Sequence, residues 1–124
     1  MGKSVEITLY HVSWCGHCVR FKNEKTKELK GGEKISSWNL IKKYVEDGDN
    51  EHKGVKIKLS ESDGDNDSNQ TINNEPVTGY PTLKFTVTNG NVSKEYNYSD
   101  YVGKRDPKVL LTFLKNVCEE LSNA

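Results

Sequence analysis

The feature that most limits what this chain can become is a strand-like run that leads into a pair of cysteines. Val5-Glu6-Ile7-Thr8-Leu9-Tyr10-His11-Val12 alternates and is rich in β-branched and aromatic residues, the pattern of a β-strand. Ser13 and Trp14 follow, then Cys15-Gly16-His17-Cys18, and Val19 to Lys30 has helical composition up to a stop at Gly31-Gly32. A Cys-x-x-Cys at a strand-to-helix turn has a definite chemistry. Residues three apart in the first turn of a helix are neighbours, so their thiols close a small disulfide with little backbone movement. The first of them, Cys15, meets unsatisfied helix N–H groups and the positive end of the helix dipole, which favours thiolate over thiol. A thiolate is the attacking species in disulfide exchange, and a thiol of low pKa is also the better leaving group. Gly16 permits close approach, and His17 adds a positive charge beside the sulfur when protonated.

The remainder reads as one domain over residues 1–124. Ser36-Ser37 suits a helix N-cap, and Trp38, Ile41, Tyr44 and Val45 then share one face of a helix over about 36–47 that Gly48 ends. Val55-Lys56-Ile57-Lys58-Leu59 is a second alternating strand. Residues 60–76 are acidic and nearly devoid of apolar side chains, which predicts a mobile loop. Thr82 to Thr88 and Val92 to Tyr98 flank Asn89-Gly90, a hairpin signal. Asp106-Pro107 provides an N-cap and a first-turn proline for a last helix, which turns Leu110, Phe113, Leu114, Val117 and Leu121 to one side. The predicted order is strand, helix, helix, strand, loop, hairpin, helix.

Eighteen basic and eighteen acidic residues cancel, which removes the electrostatic case for a nucleic-acid or membrane partner. The charge is segregated: residues 1–45 hold nine Lys/Arg and four acids, whereas 46–75 hold nine acids and three lysines, the pattern of a solvated acidic loop beside a lysine-rich helix. No run approaches the length of a membrane helix. Three cysteines are too few for a disulfide scaffold, and Cys118 reads as a buried structural thiol between Leu114 and Leu121. Zinc would need a second ligand cluster that the chain does not offer. Asp63-Gly64-Asp65-Asn66-Asp67 spaces acids as a calcium loop does, but Ser68 and Asn74 stand where such a loop needs Gly and Glu. No metal and no cofactor is therefore expected. No secretory, lipidation or retention signal is visible, so the chain taken at face value is cytoplasmic; a removed signal would admit the secretory pathway or a virion.

Trp14-Cys15-Gly16-His17-Cys18 resembles the active-site pentapeptide of protein disulfide isomerase domains in the thioredoxin superfamily. Gly79-Tyr80-Pro81-Thr82-Leu83-Lys84-Phe85 resembles the family's second signature, the cis-proline loop that enters the hairpin. Tyr101-Val102-Gly103-Lys104-Arg105 is similar to the segment before its last helix. Together these anchors span about residues 5–121. The resemblance implies an α/β, thioredoxin-like fold: a central mixed β-sheet of about four strands flanked by helices, lacking the first strand and helix of full thioredoxin, as in glutaredoxins. It assigns Cys15 as the attacking cysteine, Cys18 as the resolving one and Arg105 as the arginine that eases deprotonation of Cys18. Pro81 becomes the cis proline facing the disulfide, with the backbone of Tyr80 pairing an extended substrate; by the same analogy Trp14 and Gly16 border that groove.

The chain departs from the family pattern in four respects. Leu9 stands where the family has a buried acid that moves the proton of the second cysteine. The usual proline of the active-site helix is missing, the first strand and helix are absent, and residues 31–54 are longer than the family needs. That segment reads as a capping helix over the core, with a substrate or partner surface as the alternative. The implied function is thiol–disulfide oxidoreduction on protein substrates by a monomer, recharged by a reductase or oxidase. The alternatives are a glutathione-dependent, glutaredoxin-like reductase and a thioredoxin-fold binding module for client proteins. His17 favours thiolate and hence a more oxidising pair, nearer about −180 mV than about −270 mV, a span of roughly 4 kcal/mol for two electrons.

Overall fold

Residues 2–12, 27–28, 34–35, 37–64, 70–101 and 107–124 are described by a computed structural model. In chain order the elements are β1 (Lys3–His11), β2 (Lys27–Glu28), β3 (Lys34–Ile35), α1 (Ser37–Asp47), β4 (Glu51–His52), β5 (Val55–Asp63), β6 (Thr71–Ile72), β7 (Glu75–Pro76), β8 (Thr82–Asn89), β9 (Val92–Asn97), a 3-10 turn (Tyr98–Asp100) and α2 (Pro107–Ser122). The alternating N-terminal run is the middle strand of a five-stranded mixed sheet with order β4-β5-β1-β8-β9.

β1 runs parallel to β5, with Ser4 opposite Lys56 and His11 opposite Asp63. A parallel pair needs a long crossover, and α1 lies within it. On its other side β1 is antiparallel to β8, Lys3 facing Asn89 and Tyr10 facing Thr82, and β9 returns along β8. The alternation then has a plain result. Val5, Ile7 and Leu9 are fully buried and join one apolar cluster with Val55, Ile57, Leu83 and Phe85. Trp38, Ile41 and Val45 of α1 and Leu110, Leu114, Cys118 and Leu121 of α2 complete it, so both helices cover the same face of the sheet. Phe85, Tyr98 and Phe113 pack as a trio, with the Phe113 ring edge-on to the other two at 5.1 Å from each. That geometry suits the quadrupoles of the rings.

α1 ends at Gly48, whose N–H donates to the Tyr44 carbonyl at 3.1 Å. Asp49 and Asn50 then take φ of 57° and 59°, a left-handed conformation that Asp and Asn tolerate better than most residues. Lys53 and Gly54, at φ 52° and 81°, form the two-residue turn that lets β4 fold back on β5.

Three local expectations change. The helical composition of Val19 to Lys30 does not survive at its end, because Lys27-Glu28 is a strand paired with Lys34-Ile35, with Gly31-Gly32 between them in the sequence. Residues 13–26, which include the start of that stretch, and residues 29–33 lie outside the described residues. The described parts of the loop expected over 60–76 are not loop-like: β5 continues to Asp63 beside Thr8–His11, and Gln70 and Ile72 are buried, while residues 65–69 lie outside the described residues. Polar side chains join the strands there through hydrogen bonds, the Thr8 and Ser60 hydroxyls lying 3.0 Å apart and Ser60 Oγ donating to Glu6 Oε2 at 3.1 Å. The hairpin turn shifts by one residue, since Asn89 pairs with Val92 and Gly90, at φ 63°, is the first of the two turn residues.

Candidate functional site

The carboxyl end of β1, where the chain runs on toward the cysteine motif, is where distant segments meet. Because Tyr10 faces Thr82, the bend that precedes β8 lies at this end of the strand. Its Tyr80–Pro81 peptide bond is cis, and Pro81 is buried. Thr82 Oγ1 donates to the Gly79 carbonyl at 2.6 Å and closes the bend. Tyr80 donates its hydroxyl to Gln70 Oε1 at 2.7 Å, and the Gln70 amide donates to the Ser62 carbonyl at 2.8 Å. Gln70, 6% exposed, is therefore a buried amide with both ends satisfied.

Gly64 seals the junction. Its N–H donates to the His11 carbonyl at 2.7 Å, and a Cβ there would lie 2.8 Å from Val12 Cγ1, 2.9 Å from Gln70 Oε1 and 3.0 Å from the Tyr80 hydroxyl. Only a residue without a side chain allows Val12, Gln70 and Tyr80 to approach this closely.

A carboxylate stands beside the same strand end. The register sets Glu61 of β5 opposite Leu9 of β1. Trp38 Nε1 donates to Glu61 Oε2 at 3.1 Å, Lys42 Nζ lies 3.6 Å from the same oxygen, and His11 Nε2 is 3.7 Å from Glu61 Oε1. The Glu61 side chain remains 30% exposed, so it borders both the core and solvent. Glu61 thus sets a carboxylate beside Leu9 at the end of β1.

On the other side of the sheet Tyr10, nearly buried, donates to the Thr71 carbonyl at 3.1 Å and carries Lys84 Nζ 5.2 Å from its ring centre. Burial alone would lower the pKa of Lys84, but its interaction with Tyr10 and the Glu95 carboxylate at 3.5 Å outweigh burial and hold it raised. Farther away, Tyr44 lies 2.6 Å from His52 Nδ1 and beneath Lys115 Nζ, and burial, followed by the charge of Cys118, raises its hydroxyl. Burial pushes the Cys118 thiol up to about 11, which keeps it protonated and unreactive near neutrality.

Of the residues singled out in the sequence, Tyr80 and Pro81 stand at the end of β1, whereas Trp14, Cys15, Gly16, His17, Cys18 and Arg105 lie outside the described residues. Sequence reasoning missed Glu61, Gly64 and Gln70. All three sit in the polar tract that reads as a loop; the parallel register with β1 places Glu61, and hydrogen bonds to His11, Ser62 and Tyr80 place Gly64 and Gln70. Among the described residues no group of three or more His, Cys, Asp or Glu side chains is arranged to hold a metal ion, and no helix is long and apolar enough to cross a membrane. No protein-family model matches the chain, and no curated protein or solved structure is significantly similar to it.

Proposed function

We propose that the chain is a thiol–disulfide oxidoreductase of thioredoxin-like fold, acting on protein disulfides through Cys15 and Cys18. One observation carries this function: the Tyr80–Pro81 bend, distant in sequence from the cysteine motif, packs at the end of the strand from which that motif departs. The element order adds support, with a central strand, a parallel neighbour reached through a helix, an antiparallel hairpin and a closing helix.

In the reductive direction the Cys15 thiolate attacks one sulfur of a client disulfide. That bond breaks, a Cys15–client disulfide forms, and the departing client sulfur takes up a proton. Cys18, as thiolate, then attacks the Cys15 sulfur, so the mixed disulfide is replaced by Cys15–Cys18 and the second client thiol leaves. Two electrons and two protons pass to the client. Glu61 takes the proton that Cys18 must lose, in place of the acid missing at Leu9, and Arg105 favours the Cys18 thiolate. His17 favours the Cys15 thiolate and sets the pair toward the oxidising end of the family. With an oxidised pair the same steps run backward and insert disulfides.

The test is turnover of a disulfide-bonded protein under dithiothreitol with the wild-type chain, Cys15→Ser and Cys18→Ser. Oxidoreductase chemistry requires that Cys15→Ser abolish turnover and that reduced Cys18→Ser, mixed with the client after dithiothreitol is removed, accumulate a covalent adduct that fresh dithiothreitol cleaves. Undiminished turnover by Cys15→Ser would refute the mechanism. Client capture that survives loss of both cysteines, with no turnover by the wild-type chain, would establish a binding module instead.

A further inference from the structure

The surface around the far end of β9 has a chemistry that the redox cycle does not use. Between β8 and β9 on one side and α2 on the other runs an apolar trough of about 530 Å³, floored by Phe85, Val87, Tyr96, Phe113, Val117 and Leu121. A second depression of about 600 Å³ lies between the β6–β7 hairpin, residues 77–79 and the 3-10 turn. Tyr96 and Tyr101 line both, their rings edge to face at 5.7 Å, so the two hollows meet across one aromatic ridge. Tyr101 is 60% exposed, whereas the other described aromatics are buried or half-buried.

Among the described lining residues of these hollows the charge has one sign. Glu120 is the charged residue of the trough, and Glu75, Glu95 and Asp100 are those of the second depression; no lysine or arginine is among the described lining residues of either. Glu95 is shared with Lys84 at 3.5 Å, which leaves Glu75, Asp100 and Glu120 without an ion pair among the described residues. The chain as a whole is neutral, so this acidity is local.

We infer that the trough and its acidic border dock an extended client segment that places a lysine or arginine beside an apolar side chain. The apolar side chain lies in the trough, the cation sits by Glu75 and Asp100, and Tyr101 covers the cation's stem with its ring face. The inference rests on the proposed action on proteins only in naming the segment a client; the docking itself needs no thiol. Tyrosine at the centre of such a surface is one of the residue types in which binding hot spots are enriched.

The test uses the full chain carrying Cys15→Ser and Cys18→Ser, with a short fluorescein-labelled, cysteine-free peptide alternating lysine and valine, followed by anisotropy. A glutamate–valine peptide of the same length is the control. The lysine peptide is expected to bind and the glutamate peptide not to. Glu75→Gln combined with Asp100→Asn should weaken binding about tenfold, as should Tyr101→Ala, and added salt should weaken it too. Equal binding of both peptides, no binding of either, or an unchanged affinity in both variants overturns the proposal. A dimer of the free chain that dissociates on Tyr101→Ala also overturns it, because the surface then belongs to a second copy. None of these outcomes depends on thiol chemistry, so failure here is separate from failure of the redox mechanism.

Discussion

Replacing Cys118 by alanine should produce a stability difference that changes sign in alkaline solution. The thiol is fully buried on the inward face of α2, and burial moves it from 9.0 to about 11. In the unfolded chain it ionises near 9.0, so between that pH and about 11 the unfolded state has released a proton that the folded state keeps. Stability falls with pH wherever the unfolded state binds fewer protons, so the contribution is whole below pH 9 and lost as pH climbs through 11. Two pH units at about 1.4 kcal/mol each make the loss roughly 2–3 kcal/mol. Alanine has no proton to lose but gives up one buried heavy atom, a cost of about 1 kcal/mol. The wild-type chain should therefore be more stable by about 1 kcal/mol near neutrality, and the variant more stable by about 1–2 kcal/mol near pH 11. Urea unfolding of both proteins at intervals of pH measures the gap. Cys15, Cys18, the lysines and the tyrosines other than Tyr44 titrate in both and largely cancel, and loss of the Cys118 charge beside Tyr44 moves the gap in the same direction. A gap that stays constant across this range would refute burial of the thiol as the source of its shift.

Two further substitutions probe the end of β1. Gly64→Ala should cost about 1–3 kcal/mol in chemical denaturation, because the new Cβ presses on Val12 and on the Tyr80–Gln70 hydrogen bond; an unchanged midpoint would contradict the close approach. Glu61→Gln should slow release of the mixed disulfide by about a hundredfold in stopped-flow measurements while the alkylation rate of Cys15 stays the same. Unaltered release would remove Glu61 from the proton path.

The parts of the fold legible in the sequence are those decided within a few neighbouring residues. The spacing of Trp38, Ile41 and Val45 predicts the buried face of α1, and Pro107 marks the start of α2, with Leu110, Leu114 and Leu121 inward as read. Phe113 and Val117 only lean against the cluster, and Cys118 takes a central place in it. The bend at Pro81 was legible through its resemblance to a known loop, while its neighbours Gln70 and Gly64 were not, since a glutamine and a glycine in a polar tract carry no periodicity.

Val5, Ile7 and Leu9 by themselves determined that β1 would bury one face, because alternation of side chains is built into an extended backbone. Gly48, which ends α1, acted at the same short range. Only the tertiary structure decided that Lys27-Glu28 would pair with Lys34-Ile35, that β5 would run on to Asp63, and that Glu61 would meet Trp38 and His11. The physical reason is that a polar residue in a strand is held by the partner across the ladder, and that partner is chosen by the global register rather than by anything adjacent in the chain.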